Sequence, residues 1–215
     1  MHIFDGVIES PWVITATWVM GGGGIAIASR GFVRGSNEEH SALVGVFGAF
    51  MFAAQMINFT IPGSPVSAHL TGTALLTILL GPAAAIVVCA AVLLVQCLLF
   101  QDGGVLAYGA NVCNLALLPA VVSALILRAT PVKGRHRIPV LVAIGIAGVA
   151  ASSLAISLEL IFGSKIDAKV VASGLLLVQG GVAAAEGVIT AIAFVSIREL
   201  LGGRIPLWLS PERVE

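Results

Sequence analysis

Seven apolar runs, each close to the length that a lipid bilayer imposes on a spanning helix, limit what this chain can fold into. They lie near Pro11 to Ser29, Ser41 to Phe59, Val66 to Leu80, Pro82 to Phe100, Val105 to Leu127, Ile138 to Phe162 and Gly174 to Ile197. The hydrocarbon core calls for about 20 residues per helix, and inside it every backbone polar group must be bonded within the protein, which leaves helices as the means of crossing. Charged residues make up 10% of the chain and hydrophobic ones 58%, whereas soluble domains carry roughly a quarter charged. The sequence therefore predicts an all-α integral membrane protein, a bundle of seven transmembrane helices forming one transmembrane domain over residues 1–215. The third run is short and is followed at once by Gly81-Pro82, so it is expected to sink among its neighbours beside an antiparallel fourth span.

Charge sets the expected orientation. With the N-terminus outside, nine of the eleven basic residues fall on the cytoplasmic side, among them Arg30, Arg128, Lys133 and Arg198, against Lys165 and Lys169 outside. The positive-inside rule thus favours N-terminus out and C-terminus in. Asp5 and Glu9 occupy the first ten residues without any Lys or Arg, so a cleavable leader is not expected. Formal charge is zero and no basic patch suggests nucleic acid. Cys89, Cys97 and Cys113 all sit in apolar runs and read as packing residues.

Met1-His2 can offer a metal three nitrogens in a row: the α-amine, the His2 amide and its imidazole, closing a five- and a six-membered chelate ring in one plane. Tetragonal all-nitrogen sites suit Ni(II) and Cu(II) better than Zn(II). His69, at the outer start of the third run and after a segment with two prolines and a glycine, is the candidate for the fourth corner. On the expected topology it shares the outer face with Met1-His2. A bias of outer carboxylates, Asp5, Glu9, Asp102, Glu159 and Asp167, would draw cations there. Glu186 is the carboxylate read as well inside a span, a costly placement that demands a partner; it is either an ion relay or a hydrogen-bonding hub. Asn58, Asn111 and Asn114 fit interhelical hydrogen bonds as well as support for metal ligands. His40 and His136 belong to the other side and receive no role. Ser64 or Ser67 with His69 raises an intramembrane serine hydrolase as the alternative, although the Gly-x-Ser-x-Gly elbow is missing. No phosphate-binding Gly-x-x-x-x-Gly-Lys motif occurs, so the chain is not expected to be an ATPase or other enzyme.

Several segments together, Met1-His2-Ile3 with Asp5-Gly6, Asn58-Phe59 with Ile61-Pro62-Gly63, His69-Leu70 with Gly72, Leu79-Leu80-Gly81-Pro82, Asp102-Gly103-Gly104 with Gly109-Ala110-Asn111, and Glu186-Gly187 with Thr190-Ala191, resemble the CbiM/NikM family. These are substrate-binding membrane subunits of cobalt and nickel energy-coupling-factor transporters. The resemblance implies a seven-helix component of a prokaryotic cell membrane that captures Co(II) or Ni(II) as substrate, with no cofactor. Its implied partners are a transmembrane coupling subunit, two cytoplasmic ATPases and often a small accessory membrane subunit. The metal ligands it implies are Met1, His2 and His69, with Asp5, Asn58, Asp102 and Glu186 as polar supports or structural groups. Phe4 stands where the family usually has proline, and Ser64 to Ala68 replace a more glycine- and threonine-rich approach to the histidine.

Overall fold

The computed structural model describes residues 1–60, 67–130, 132 and 137–200, with side chains at 59–60 and 168–177 left aside. Ser64, Lys133 and His136 lie outside the described residues, as do Arg204 and Arg213. After a ten-residue N-terminal segment come α1 (Pro11–Gly35) and α2 (Glu38–Gln55), then a two-residue antiparallel ladder, β1 (Phe59–Thr60) with β2 (Ser67–Ala68), in which Phe59 faces Ala68. The short α3 (Thr73–Leu80) and α4 (Pro82–Phe100) follow. A continuous rod is next, made of α5 (Tyr108–Val112), a π-helical turn (Cys113–Leu117) and α6 (Leu118–Ala129). The chain closes with α7 (Arg137–Gly163) and α8 (Ala168–Leu200).

Five helical stretches among the described residues are long and apolar enough to cross a membrane: Pro11–Gly35, Pro82–Phe100, Tyr108–Ala129, Arg137–Gly163 and Val178–Leu200. With α2 and α3 they make the seven segments of a multi-pass membrane protein. The third is shorter than the apolar run implies. Its helix has eight residues, or about 12 Å at 1.5 Å per residue, because the chain from Ser67 is not helical until Gly72 turns it with φ of 66°. All eight of its residues are buried, as a segment enclosed by its neighbours must be. Large apolar side chains such as Val19, Ile27, Leu99, Leu154 and Ile192 point outward, while Thr73, Thr77, Gln96, Asn114 and Ser152 are inside. This distribution suits lipid around the bundle and hydrogen bonds between its helices.

Two details fix the helices around the N-terminal segment. In the π turn the widened ladder leaves carbonyls for outside donors, and hydroxyls from two neighbouring helices take them: Thr73 Oγ1 donates to the Leu115 carbonyl at 2.5 Å and Ser152 Oγ to that of Asn114 at 2.5 Å. Glycines then permit close crossings. A Cβ on Gly21 of α1 would stand 2.9 Å from the Gly109 carbonyl oxygen, and one on Gly145 of α7 would stand 2.7 Å from Gly187 Cα of α8. Gly145→Val should therefore push α7 from α8 and cost about 1–3 kcal/mol. Gly22→Ala, with nothing within 4 Å of its added carbon, should be neutral or slightly stabilising. Thermal unfolding of both variants in detergent checks this, and equal melting would contradict the crossing.

Candidate metal centre

The first three residues are not a free tail. Met1 and Ile3 are fully buried and His2 is 1% exposed. Asn111 of α5 treats Ile3 as a strand partner: the Ile3 N–H donates to Asn111 Oδ1 at 2.8 Å, and Asn111 Nδ2 donates to the Ile3 carbonyl at 2.9 Å. Gly104 N–H adds a second bond to that carbonyl at 3.0 Å. Asp5 then accepts from the backbone N–H groups of Val105, Leu106 and Ala107 at 2.8–3.2 Å, in the turn that leads into α5. Farther along, Glu9 N–H bonds the Gly163 carbonyl at 2.7 Å. The segment is thereby tied to the ends of α4, α5 and α7.

This docking brings the candidate ligands together. The Met1 amine and the His2 amide both donate to Ser67 Oγ, at 3.3 and 3.2 Å. The His2 and His69 rings lie 4.5 Å apart, centre to centre. His2 Nδ1 meets Asp102 Oδ1 at 2.8 Å, and Asn58 Nδ2 holds the other Asp102 oxygen at 2.6 Å. His69 Nδ1 donates to its neighbour's carbonyl on Leu70 at 2.8 Å. With each Nδ1 so engaged, the acceptor lone pair of each neutral ring sits on Nε2, and both Nε2 atoms are buried without a partner. Among the described residues no three His, Cys, Asp or Glu side chains are grouped to hold a metal. A centre here has two imidazoles and draws any further donors from the main chain, the amine or an amide.

Burial pushes the Met1 amine well below its ordinary 8.0, against the pull of Asp102. It likewise lowers His2 from 6.5, with the Asp102 carboxylate and the Gln96 carboxamide acting the other way. Burial pushes Asp102 up, but the bonds from His2 and Asn58 outweigh it and hold the acid below its usual value. The site thus favours neutral nitrogens beside one carboxylate.

Glu186 acts as a hub. Its Oε1 accepts from Thr71 Oγ1 and Gly72 N–H, both at 2.7 Å, and its Oε2 from Thr71 N–H at 2.8 Å. Gln55 Nε2 holds the Thr71 carbonyl at 2.6 Å. The chain just after His69 is therefore clamped by α8 and α2. Glu159, in the last two turns of α7, is a second carboxylate within a helix and accepts from Asn114 Nδ2 at 2.6 Å. Glu9 pairs with Lys165 at 2.5 Å on the surface. Asp5, Glu9, Asp102 and Glu159 thus all have protein partners. Ser67 and His69 are adjacent in space, but the serine is bonded by Met1 and His2, with no Ser67–His69 hydrogen bond among the described residues.

Residues 2–200 match the family model CbiM, described as the cobalt uptake substrate-specific transmembrane region. The chain belongs to the CbiM family. A cobalt transport protein CbiM of Clostridioides difficile is 29% identical over 213 residues, covering 93% of this chain and 82% of the relative. A fused nickel transport protein NikMN of Rhodobacter capsulatus is 34% identical over 163 residues, covering 74% of this chain and 46% of the relative. The chain spans about half the length of such fused relatives. A crystal structure of a truncated transition metal transporter superposes with a TM-score of 0.83 at 27% identity, covering 93% of this chain and 99% of that one. Within this CbiM chain the sequence reading missed two groups, Ser67 as acceptor for the terminus and Gln96, whose signal was a carboxamide inside the apolar run of α4.

The lowered amine and imidazole make docking of the terminus depend on pH. The undocked chain binds more protons than the docked one below pH 8, so docking weakens as pH falls, first through the amine and then through His2 below 6.5. Asp102, lowered from 3.8, contributes its stabilisation throughout that range. Hydrogen exchange of residues 2–5, corrected for its intrinsic pH dependence, should show less protection at pH 6 than at pH 8; equal protection would contradict burial of a neutral amine.

Proposed function

We propose that this protein is the substrate-specific membrane component of a cobalt or nickel uptake system. On this reading Met1, His2 and His69 bind Ni(II) or Co(II) at the outer face and release it inward, driven by separate ATPases through a coupling subunit. What carries it is the convergence, out of water, of the Met1 amine, the His2 amide and ring, and the His69 imidazole with its unsatisfied Nε2. Family membership, and the cobalt and nickel named for its relatives, support the substrate class. The charge bias of the loops supports the outward-facing terminus.

The six-membered chelate ring closes only through His2 Nδ1, which faces Asp102 at 2.8 Å. Loading therefore exchanges the carboxylate for the metal at that nitrogen by a turn of the imidazole about Cβ–Cγ. Deprotonation of the His2 amide removes one donor from Ser67 Oγ. A doubly charged ion, one amide anion and the nearby Asp102 carboxylate are together neutral, which a dry pocket favours over any net charge. Because amine, amide and imidazoles bind only when deprotonated, affinity falls as pH drops.

Purified protein beginning at Met1 should hold one Ni(II) or Co(II). His69→Ala, and a variant with one glycine before Met1, should each bind more than about a hundred-fold more weakly, as read by metal titration. Equal binding by all three would overturn the ligand set.

A further inference from the structure

Ser67 Oγ accepts from the Met1 amine at 3.3 Å and from the His2 amide at 3.2 Å, and all three residues are buried. Among the described residues neither nitrogen has another acceptor. One neutral hydroxyl, with its two lone pairs, therefore satisfies two donors that would be costly to leave unpaired away from water. The direction of the second bond matters more than its length. A peptide nitrogen is planar, and the lone pair left when it loses its proton points where the N–H pointed. An ion taken up by the His2 amide therefore lies about 2 Å from that nitrogen, on the side where Ser67 Oγ stands at 3.2 Å. For a hydrogen bond of ordinary linearity, ion and oxygen would be roughly 1.5 Å apart or less, too close for a ligand. The serine oxygen fills the seat that the ion needs.

We infer that Ser67 is a built-in competitor of the transported ion: its hydroxyl and the metal take turns at the same two nitrogens, and this exchange makes a tight chelate reversible. The inference rests on the metal-capture reading above. On loading, the His2 amide gives its proton to solvent and its lone pair to the ion, and the Met1 amine gives its own lone pair. Ser67 keeps its proton and turns about Cα–Cβ to another staggered rotamer. On release these steps reverse, and amine and amide return to an acceptor that waits for them. Ser67 thus stabilises only the form without the ion. A group that favours one of two states lowers the affinity of whatever binds the other, so its removal tightens binding. Removing a serine that supported the site equally in both forms would leave affinity unchanged, and removing a ligand would weaken it.

The test is nickel titration and thermal melting of the purified protein that begins at Met1, beside Ser67→Ala. Ser67→Ala should bind Ni(II) about ten-fold more tightly, the worth of the hydrogen bonds that only the ion-free form makes. It should melt below the unaltered protein in the presence of a chelator, and the gap should close under saturating Ni(II). Unchanged or weakened affinity, or a melting deficit that persists under nickel, would overturn the proposal and leave the capture site standing. Should Ser67→Ala fail to fold, a crystal structure of the unaltered protein with Ni(II) decides: Ser67 Oγ should have turned away from the His2 nitrogen, and an unmoved oxygen would overturn the exchange. Failure of the unaltered protein to bind Ni(II) or Co(II) would overturn both this proposal and the reading on which it rests.

Discussion

Everything at the end of this bundle that holds the N-terminus depends on two hydrogen bonds between Asn111 and the main chain of Ile3. A chain terminus is ordinarily frayed and wet, and one that carries a positive amine is costly to bury. The Asn111 side chain satisfies both polar groups of Ile3 as a neighbouring strand would, Asp5 anchors the next turn on the amides that open α5, and Ser67 receives the amine and the His2 amide. The terminus becomes a part of the core, and burial converts an ordinary amine and imidazole into neutral donors.

The clamp on the other side is of the same kind. Glu186 and Gln55 bond Thr71 and Gly72 from two different helices, so the non-helical stretch from Ser67 to Gly72 is held at both ends of its reach. That stretch takes from α3 nearly half of the length its apolar run promised, and all of the helix that remains is buried. The π turn in the fifth span belongs to the same compromise: Thr73 at the head of α3 takes the carbonyl that the turn sets free. Local departures from regular helix are concentrated around the place where His69 meets the terminus.

Much of this was legible in the residues. The seven apolar runs, the break at Gly81-Pro82 and the pairing of His2 with His69 follow from bilayer length, proline chemistry and charge bias. Glu186 announced itself by its cost in an apolar helix, and the structure resolves it as a hub. What stayed hidden was long-range pairing. Nothing in the residues around Ser67 says that its hydroxyl faces position 1, and Asn111 gives no hint that its partner is a main chain more than a hundred residues away. Glu159 lay inside the sixth apolar run, but nothing there says that its partner is Asn114, and Gln96 drew no reading in the long apolar run of α4.

The account turns on a metal held by nitrogens at the buried terminus, and X-ray absorption at the nickel edge of the loaded protein addresses it most directly. A four-coordinate, planar shell of nitrogen donors, carrying the imidazole scattering pattern, is the result this structure predicts. A six-coordinate shell rich in oxygen would contradict it and move the ion to the carboxylates instead.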